Sequence, residues 1–185
     1  MALVYPSRHP LVAHKLASLR DTRTRAAEFR ALVRNLATLL AAEATADLPT
    51  REVDVQTPLG TCRSLVLDDV VGIVPILRAG LGMSEGVLEL VPEAEVWHIG
   101  LFRDEHTLRP TEYYNKWPSH PRVTLALVVD PMLATGGSAI RTCEIVRASG
   151  VDRMKVLALI AAFRNPGAYL ALPFLVIYGL QSLTE

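Results

Sequence analysis

An aspartate, two glycines and two hydroxyl residues stand close together in Asp130-Pro-Met-Leu-Ala-Thr-Gly-Gly-Ser138, and that grouping suits the binding of a sugar phosphate. Gly136 and Gly137 let consecutive backbone N–H groups turn into one concavity. Thr135 and Ser138 add hydroxyl donors, and a helix opening there adds positive potential. Such a concavity fits a phosphate monoester, while Asp130 can accept hydrogen bonds from the hydroxyls of an attached sugar. A bare Thr-Gly-Gly-Ser corner is also an ordinary strand–turn–helix connection with Thr135 as N-cap. The acid at the end of an apolar strand is what favours the ligand-binding reading. A β-branched residue at Gly137 is expected to oppose the turn and obstruct the concavity. Arg78 and Arg103 each close another apolar run. Either alone is an ordinary surface residue, but beside such a loop they are permanently charged forks for phosphate oxygens.

These residues need strands to deliver them to one edge, and the chain supplies candidates. Val70–Leu77, Val96–Phe102, Val123–Val129, Met154–Ala162 and Phe174–Tyr178 are apolar runs rich in β-branched residues. Helical stretches over 82–90 and 138–148 separate some of them, with Gly150 as a stop. Continuous apolar strands alternating with helices imply a parallel sheet covered on both faces. Its ligand site then lies beyond the C-terminal strand ends. Upstream, 9–19 reads as a short helix with Pro10 in its first turn. A longer helix runs over 25–46, its apolar face formed by Phe29, Leu32, Val33, Leu36, Leu39, Leu40 and Ala44. Alternation over 52–55 and 62–67 around Thr57-Pro-Leu-Gly60 predicts a β-hairpin.

Composition narrows the function classes. The 185 residues suit one α/β domain spanning 1–185. Nineteen basic residues balance 19 acidic ones, so no global field recruits nucleic acid or an anionic membrane. The 50% hydrophobic content and mean hydropathy of +0.27 fit a buried sheet or a subunit that also buries an oligomer interface. Cys62 and Cys143 read as free thiols in a reducing compartment. No signal peptide is expected in 1–15, and no apolar stretch reaches the roughly 18 residues of a membrane span. The expectation is a cytoplasmic protein. None of His9, His14, His98, His106 and His120 has metal-ligand spacing; His9 and His14 read as helix-surface or capping residues.

The loop is similar to the phosphoribosyl pyrophosphate (PRPP) motif of type I phosphoribosyltransferases. With Pro131 where most members carry a second acid, it takes the form found in the uracil phosphoribosyltransferase family. His9-Pro-Leu-Val-Ala-His-Lys-Leu16, Val74-Pro-Ile-Leu-Arg-Ala-Gly-Leu-Gly-Met83, His98-Ile-Gly-Leu-Phe-Arg-Asp104 and the stretch 107–116 with Tyr113-Tyr114 resemble the same family. The resemblance runs from residue 9 to about 162. It implies a type I phosphoribosyltransferase fold, with N-terminal helices and a β-hairpin beside the sheet. It implies that Asp130, Pro131, Met132, Leu133, Ala134, Thr135, Gly136, Gly137 and Ser138 hold the ribose 5-phosphate. It also implies that Arg78, Ala79, Gly80 and Arg103 contact the pyrophosphate, with Asp130 and Arg103 carrying catalysis.

The activity implied is transfer of phosphoribosyl from PRPP to uracil, giving UMP and pyrophosphate, with Mg²⁺ carried by PRPP. No protein nucleophile is required, only alignment and neutralisation of the leaving group. The resemblance further implies a homo-oligomer and GTP as an effector. The segment 104–118 reads either as a cover over the site or as a solvated hairpin. After Ala162 the similarity fades, and the family's Gly-rich uracil-reading segment, G-[FY]-I-x-P-G-L-G-D-A-G-D, has no counterpart in these residues. A PRPP half-site without a visible base-reading half leaves an inactive PRPP- or nucleotide-binding homologue, regulatory or structural, as the alternative. An RNA-binding regulator on the same fold is disfavoured by the neutral charge and the lack of a basic stripe.

Overall fold

The computed structural model describes residues 3–103, 110–116, 118, 121–162 and 171–178. Among them the elements are β1 (Leu3–Tyr5), α1 (Pro10–Arg20), α2 (Ala26–Ala44), β2 (Thr50–Thr57), β3 (Gly60–Leu67), β4 (Val71–Leu77), α3 (Leu81–Leu90), β5 (Glu95–Val96), β6 (Ile99–Arg103), β7 (Pro110–Asn115), β8 (Leu125–Val129), β9 (Met132–Leu133), α4 (Gly137–Ala148), β10 (Arg153–Ala162) and β11 (Ala171–Tyr178). The main sheet runs β1-β11-β10-β8-β4-β6-β7, with β5 beside β4 and β9 beside β10.

The expected parallel sheet is its centre: β10, β8, β4 and β6 are mutually parallel. Its edges are antiparallel, because β7 returns along β6 and β11 returns along β10, with β1 against β11. A parallel return after β10 needs a crossover of about a dozen residues, and 163–170 is too short for one. The run Val96–Phe102 divides into β5 and β6 around Trp97 and His98.

The central strands are apolar throughout because both faces are covered. Val71, Ile73, Leu125, Leu127, Val129, Leu157 and Leu159 face α1, α2 and α3, in one core with Leu36, Leu40 and Met83. The alternate residues Val74, Ile76, Ala126, Val128 and Val156 face α4, through Ala139, Cys143 and Val146. The period of two along each strand therefore feeds two cores at once. On α2 the buried face is Val33, Leu36, Ala37, Leu40, Ala41 and Ala44. Phe29, expected on that face, is 45% exposed in the first turn of α2. His9 caps α1 by accepting from the Leu11 N–H at 3.2 Å, and Pro10 occupies the first helical position. The β2–β3 hairpin is a separate two-stranded sheet that leaves Leu59, Leu65 and Leu67 exposed.

Lys155 and Asp69 each anchor contacts between distant segments. Lys155 lies on the apolar face of β10, where its Nζ donates to the Ala44 carbonyl at 2.6 Å and to the Asp47 carboxylate. At the N-terminal sheet edge, Asp69 accepts from Arg153 Nη1 at 2.6 and 2.8 Å and from Thr124 Oγ1 at 2.7 Å. These contacts join the starts of β4, β8 and β10. Burial works against the ionised Asp69, yet the bonds from Thr124 and Arg153 outweigh it, and its pKa lies below the ordinary 3.8. A depressed carboxylate pKa stabilises the fold above the unfolded value and loses that stabilisation as pH falls through the folded one. Asp69→Asn should therefore cost about 1–3 kcal/mol at pH 7. The difference from wild type should shrink as denaturation is measured at successively lower pH. An unchanged difference between pH 7 and the acid limit would show that the carboxylate's charge is not what matters.

Candidate active site

Three parallel strands place the chemistry-bearing residues on one edge. β4 ends at Leu77 and is followed by the turn Arg78-Ala79-Gly80, which leads into α3; the Leu77–Arg78 peptide bond is cis. β8 ends at Val129, immediately before Asp130. β6 ends at Arg103, of which only the backbone is described. Pro75 pairs with Val129, Leu77 with Gly100 and Leu157 with Val129, so the three ends lie side by side. The turn after β4 is drawn back onto the sheet by the Gly80 N–H, which donates to the Ile76 carbonyl at 2.9 Å. There Gly80 approaches so closely that a Cβ on it would stand 2.4 Å from the Val129 carbonyl oxygen. Arg78 thus begins a turn that touches the residue preceding Asp130.

Asp130 breaks the strand. Its N–H still donates to Leu157 at 3.1 Å, but Pro131 bends the chain, which rejoins β10 as β9 through Met132 and Leu133. Bending leaves the Asp130 side chain half-buried at the edge, bonded weakly by the Met132 N–H at 3.4 Å. Burial raises its pKa above the ordinary carboxylate value, and the Met132 amide opposes this only in part. Among the described residues this carboxylate has one weak donor, so it suits donor groups arriving from outside.

The helix start differs in detail from the expectation. The N-cap of α4 is Gly136, not Thr135, and Gly136 rather than Gly137 takes the left-handed conformation, with φ of 78°. Gly137 is already helical, and a Cβ there would meet nothing closer than 3.8 Å. The reason is positional: the reversal must occur before the first helical residue, and that residue is Gly137. A β-branched side chain is therefore strained at 136, not 137. No side chain caps this N-terminus and its first turn holds no acid. Its free amides and positive dipole face the same edge as Asp130. Ala134 and Thr135 are exposed beside them, Ser138 is half-buried, and Met132 is 59% exposed.

Arg78 is exposed and has no ionic partner among the described residues. An arginine with no ionic partner among the described residues, an uncapped helix start and a carboxylate with one weak donor form one open site with an anion end and a hydroxyl-accepting end. Among the described residues no three His, Cys, Asp or Glu side chains form a metal site, and no helix is long and apolar enough to cross a membrane. The stretch 107–116 contributes β7 over Pro110–Asn115, so its described part is one strand of a hairpin. Residues 104–109 and the base-reading region sought beyond Ala162, apart from the backbone of β11, lie outside the described residues.

The family model described as uracil phosphoribosyltransferase matches residues 6–167. A uracil phosphoribosyltransferase of Roseiflexus sp. is 52% identical over 162 residues, which is 88% of this chain and 78% of that protein. A solved protein of Aquifex aeolicus superposes with a TM-score of 0.79 at 33% identity, over 86% of this chain and 76% of that one. A hypoxanthine-guanine phosphoribosyltransferase of Bacillus anthracis shares the fold with a TM-score of 0.52 at 8% identity, over 80% of this chain and 93% of that one.

Proposed function

We propose, from the premise that the chain belongs to the uracil phosphoribosyltransferase family, that its C-terminal sheet edge holds PRPP along the line from Ser138 to Arg78. The activity is that of the family: phosphoribosyl passes from PRPP to uracil, giving UMP and pyrophosphate in pyrimidine salvage. The 5-phosphate sits on the amides of Gly136, Gly137 and Ser138 and the hydroxyls of Thr135 and Ser138. The carboxylate of Asp130 accepts from the ribose hydroxyls. The pyrophosphate lies against Arg78, the amides of Ala79 and Gly80, and Arg103. The observation carrying this reading is the seating of Gly80 on the Val129 carbonyl, which sets the arginine-bearing turn beside the one carboxylate of the loop.

With PRPP so placed, a uracil ring nitrogen approaches the anomeric carbon as the bond to pyrophosphate breaks and the sugar takes up oxocarbenium character. This chain supplies alignment and positive charge at the departing oxygens. Asp130 is a single carboxylate with Pro131 beside it, a donor set too small to hold a cation alone but compatible with Mg²⁺ brought in by PRPP. With PRPP bound, such an ion would supply positive charge at the leaving group beside Arg78 and Arg103. The exposed leucines of the β2–β3 hairpin support a homo-oligomer as a further part of this reading.

The test is steady-state UMP formation from uracil, PRPP and Mg²⁺ by the full chain, with cytosine in parallel. UMP is expected from uracil, and Arg78→Ala should raise the KM for PRPP by roughly 10- to 100-fold with an unchanged melting temperature. Absence of UMP formation, or a variant with the KM of wild type, would overturn the assignment.

A further inference from the structure

The hairpin beyond β4 contains an irregularity that the reaction scheme leaves unused. β6 pairs with β4 only at Ile99 and Gly100, then extends past its end toward Arg103. Along β7, Tyr114 faces Gly100 and Glu112 faces Leu101, so Tyr113 is an extra residue without a partner: a β-bulge. Bulges bend the strand that carries them and re-aim the residues beyond the bend. The Tyr113 ring lies over the bare Cα of Gly100, where a Cβ would come within 2.6 Å of the ring's Cζ. It also meets the Phe102 ring at 6.3 Å between centroids with a 46° tilt. Gly100 and Phe102 share one face of β6, so a single ring spans the strand from Gly100, opposite Leu77, to the residue before Arg103.

We propose that Tyr113, seated on Gly100, is a positioning residue that sets the angle of the β6–β7 arm and thereby places Arg103 against the pyrophosphate end of the site. Three features support it. The bulge lies one residue beyond the last pair that β6 makes with β4, where the arm's direction is decided. Tyr113 is 53% exposed, so its burial is too slight for a core role to explain the contact. A glycine at 100 is required for that contact, because any side chain would occupy the place of the ring. The proposal rests on the site reading above, in that Arg103 is taken as a pyrophosphate ligand.

The test is a double-mutant cycle read in the KM for PRPP and in kcat. Tyr113→Ala is expected to raise the KM for PRPP about tenfold or more, and Tyr113→Phe, which keeps the ring, to restore it. In an Arg103→Ala background Tyr113→Ala should add little, because the group it positions is gone. A Tyr113→Ala enzyme with lowered melting temperature but wild-type KM would overturn the positioning role, as would effects of Tyr113→Ala and Arg103→Ala that multiply. If Arg103→Ala itself leaves the KM for PRPP unchanged, the reading of Arg103 fails and the proposal falls with it. That outcome is distinct from failure at Tyr113 alone.

Discussion

Asp130→Asn should lower kcat/KM for PRPP by at least about 100-fold while raising the melting temperature. Both halves come from the environment of one carboxyl. Burial pushes the Asp130 pKa up and the single long bond from Met132 does not compensate, so the ionised form is disfavoured in the free protein. A group whose folded pKa exceeds its unfolded value contributes stability only while protonated, and loses it as pH rises through the folded value. At neutral pH the charge is therefore a cost to the fold, and a neutral amide of the same shape removes it. The function assigned to Asp130 needs that charge, because bonds from two ribose hydroxyls to an ionised acceptor contribute about 1.5–3 kcal/mol each. The asparagine amide can turn its donor side toward those hydroxyls and breaks the pairing. PRPP brings the missing donors, so it should stabilise wild type more than the variant in thermal shift. The acid limb of the wild-type pH–activity profile should lie above the ordinary carboxylate value. A variant of lower stability and near-normal turnover would mean that Asp130 is a structural residue of the bend.

Parts of this arrangement are legible in the chain of residues alone, and the boundary is physical. Leu125–Val129 reads as a central strand because an unbroken apolar run needs cover on both faces, and all five residues are buried. Asp130 to Ser138 is legible because its chemistry is local, carried by neighbours in the chain. The direction of β11 is not, since an apolar run specifies burial but not polarity along the sheet. β1 is three residues long and too short to show a period. Lys155 looks like an interruption of an apolar strand; its partners, the Ala44 carbonyl and Asp47, lie far away in sequence and appear only when α2 crosses β10. Which of two adjacent glycines takes positive φ depends on the first helical residue, and composition leaves 136 and 137 equal. That Arg78 lies beside the Asp130 loop depends on the order β8-β4-β6, a matter of topology. The bulge at Tyr113 is a shift of register, and nothing in the residue types Tyr113 and Tyr114 says which one is left unpaired.

Gly80→Ala should abolish most activity by moving the turn that carries Arg78. The added methyl would stand 2.4 Å from the Val129 carbonyl oxygen, 2.8 Å from the Ile76 nitrogen and 3.0 Å from the Ile76 oxygen. All three are backbone atoms of central, buried strands, so no side chain can swing aside. The strands are held from both faces, by the α1–α3 core and by α4, and Val129 is itself locked between Pro75 and Leu157. The turn is therefore what yields, and outward displacement weakens the bond from the Gly80 N–H to Ile76 and shifts the start of α3. A displacement of about 1 Å at an aligned site costs on the order of 100-fold in turnover. Overpacking of this kind costs roughly 1–3 kcal/mol in stability, which for a protein of this size lowers the melting temperature by about 2–12 °C. The sheet should survive, with an unchanged far-ultraviolet circular dichroism spectrum. PRPP protection should be lost while inorganic phosphate, held at the other end by the α4 amides, still binds. That separation is the informative result: it assigns the two ends of the site to two independently anchored turns, whereas equal loss of phosphate and PRPP binding would mean that the alanine disturbs β8 and the Asp130 loop as well.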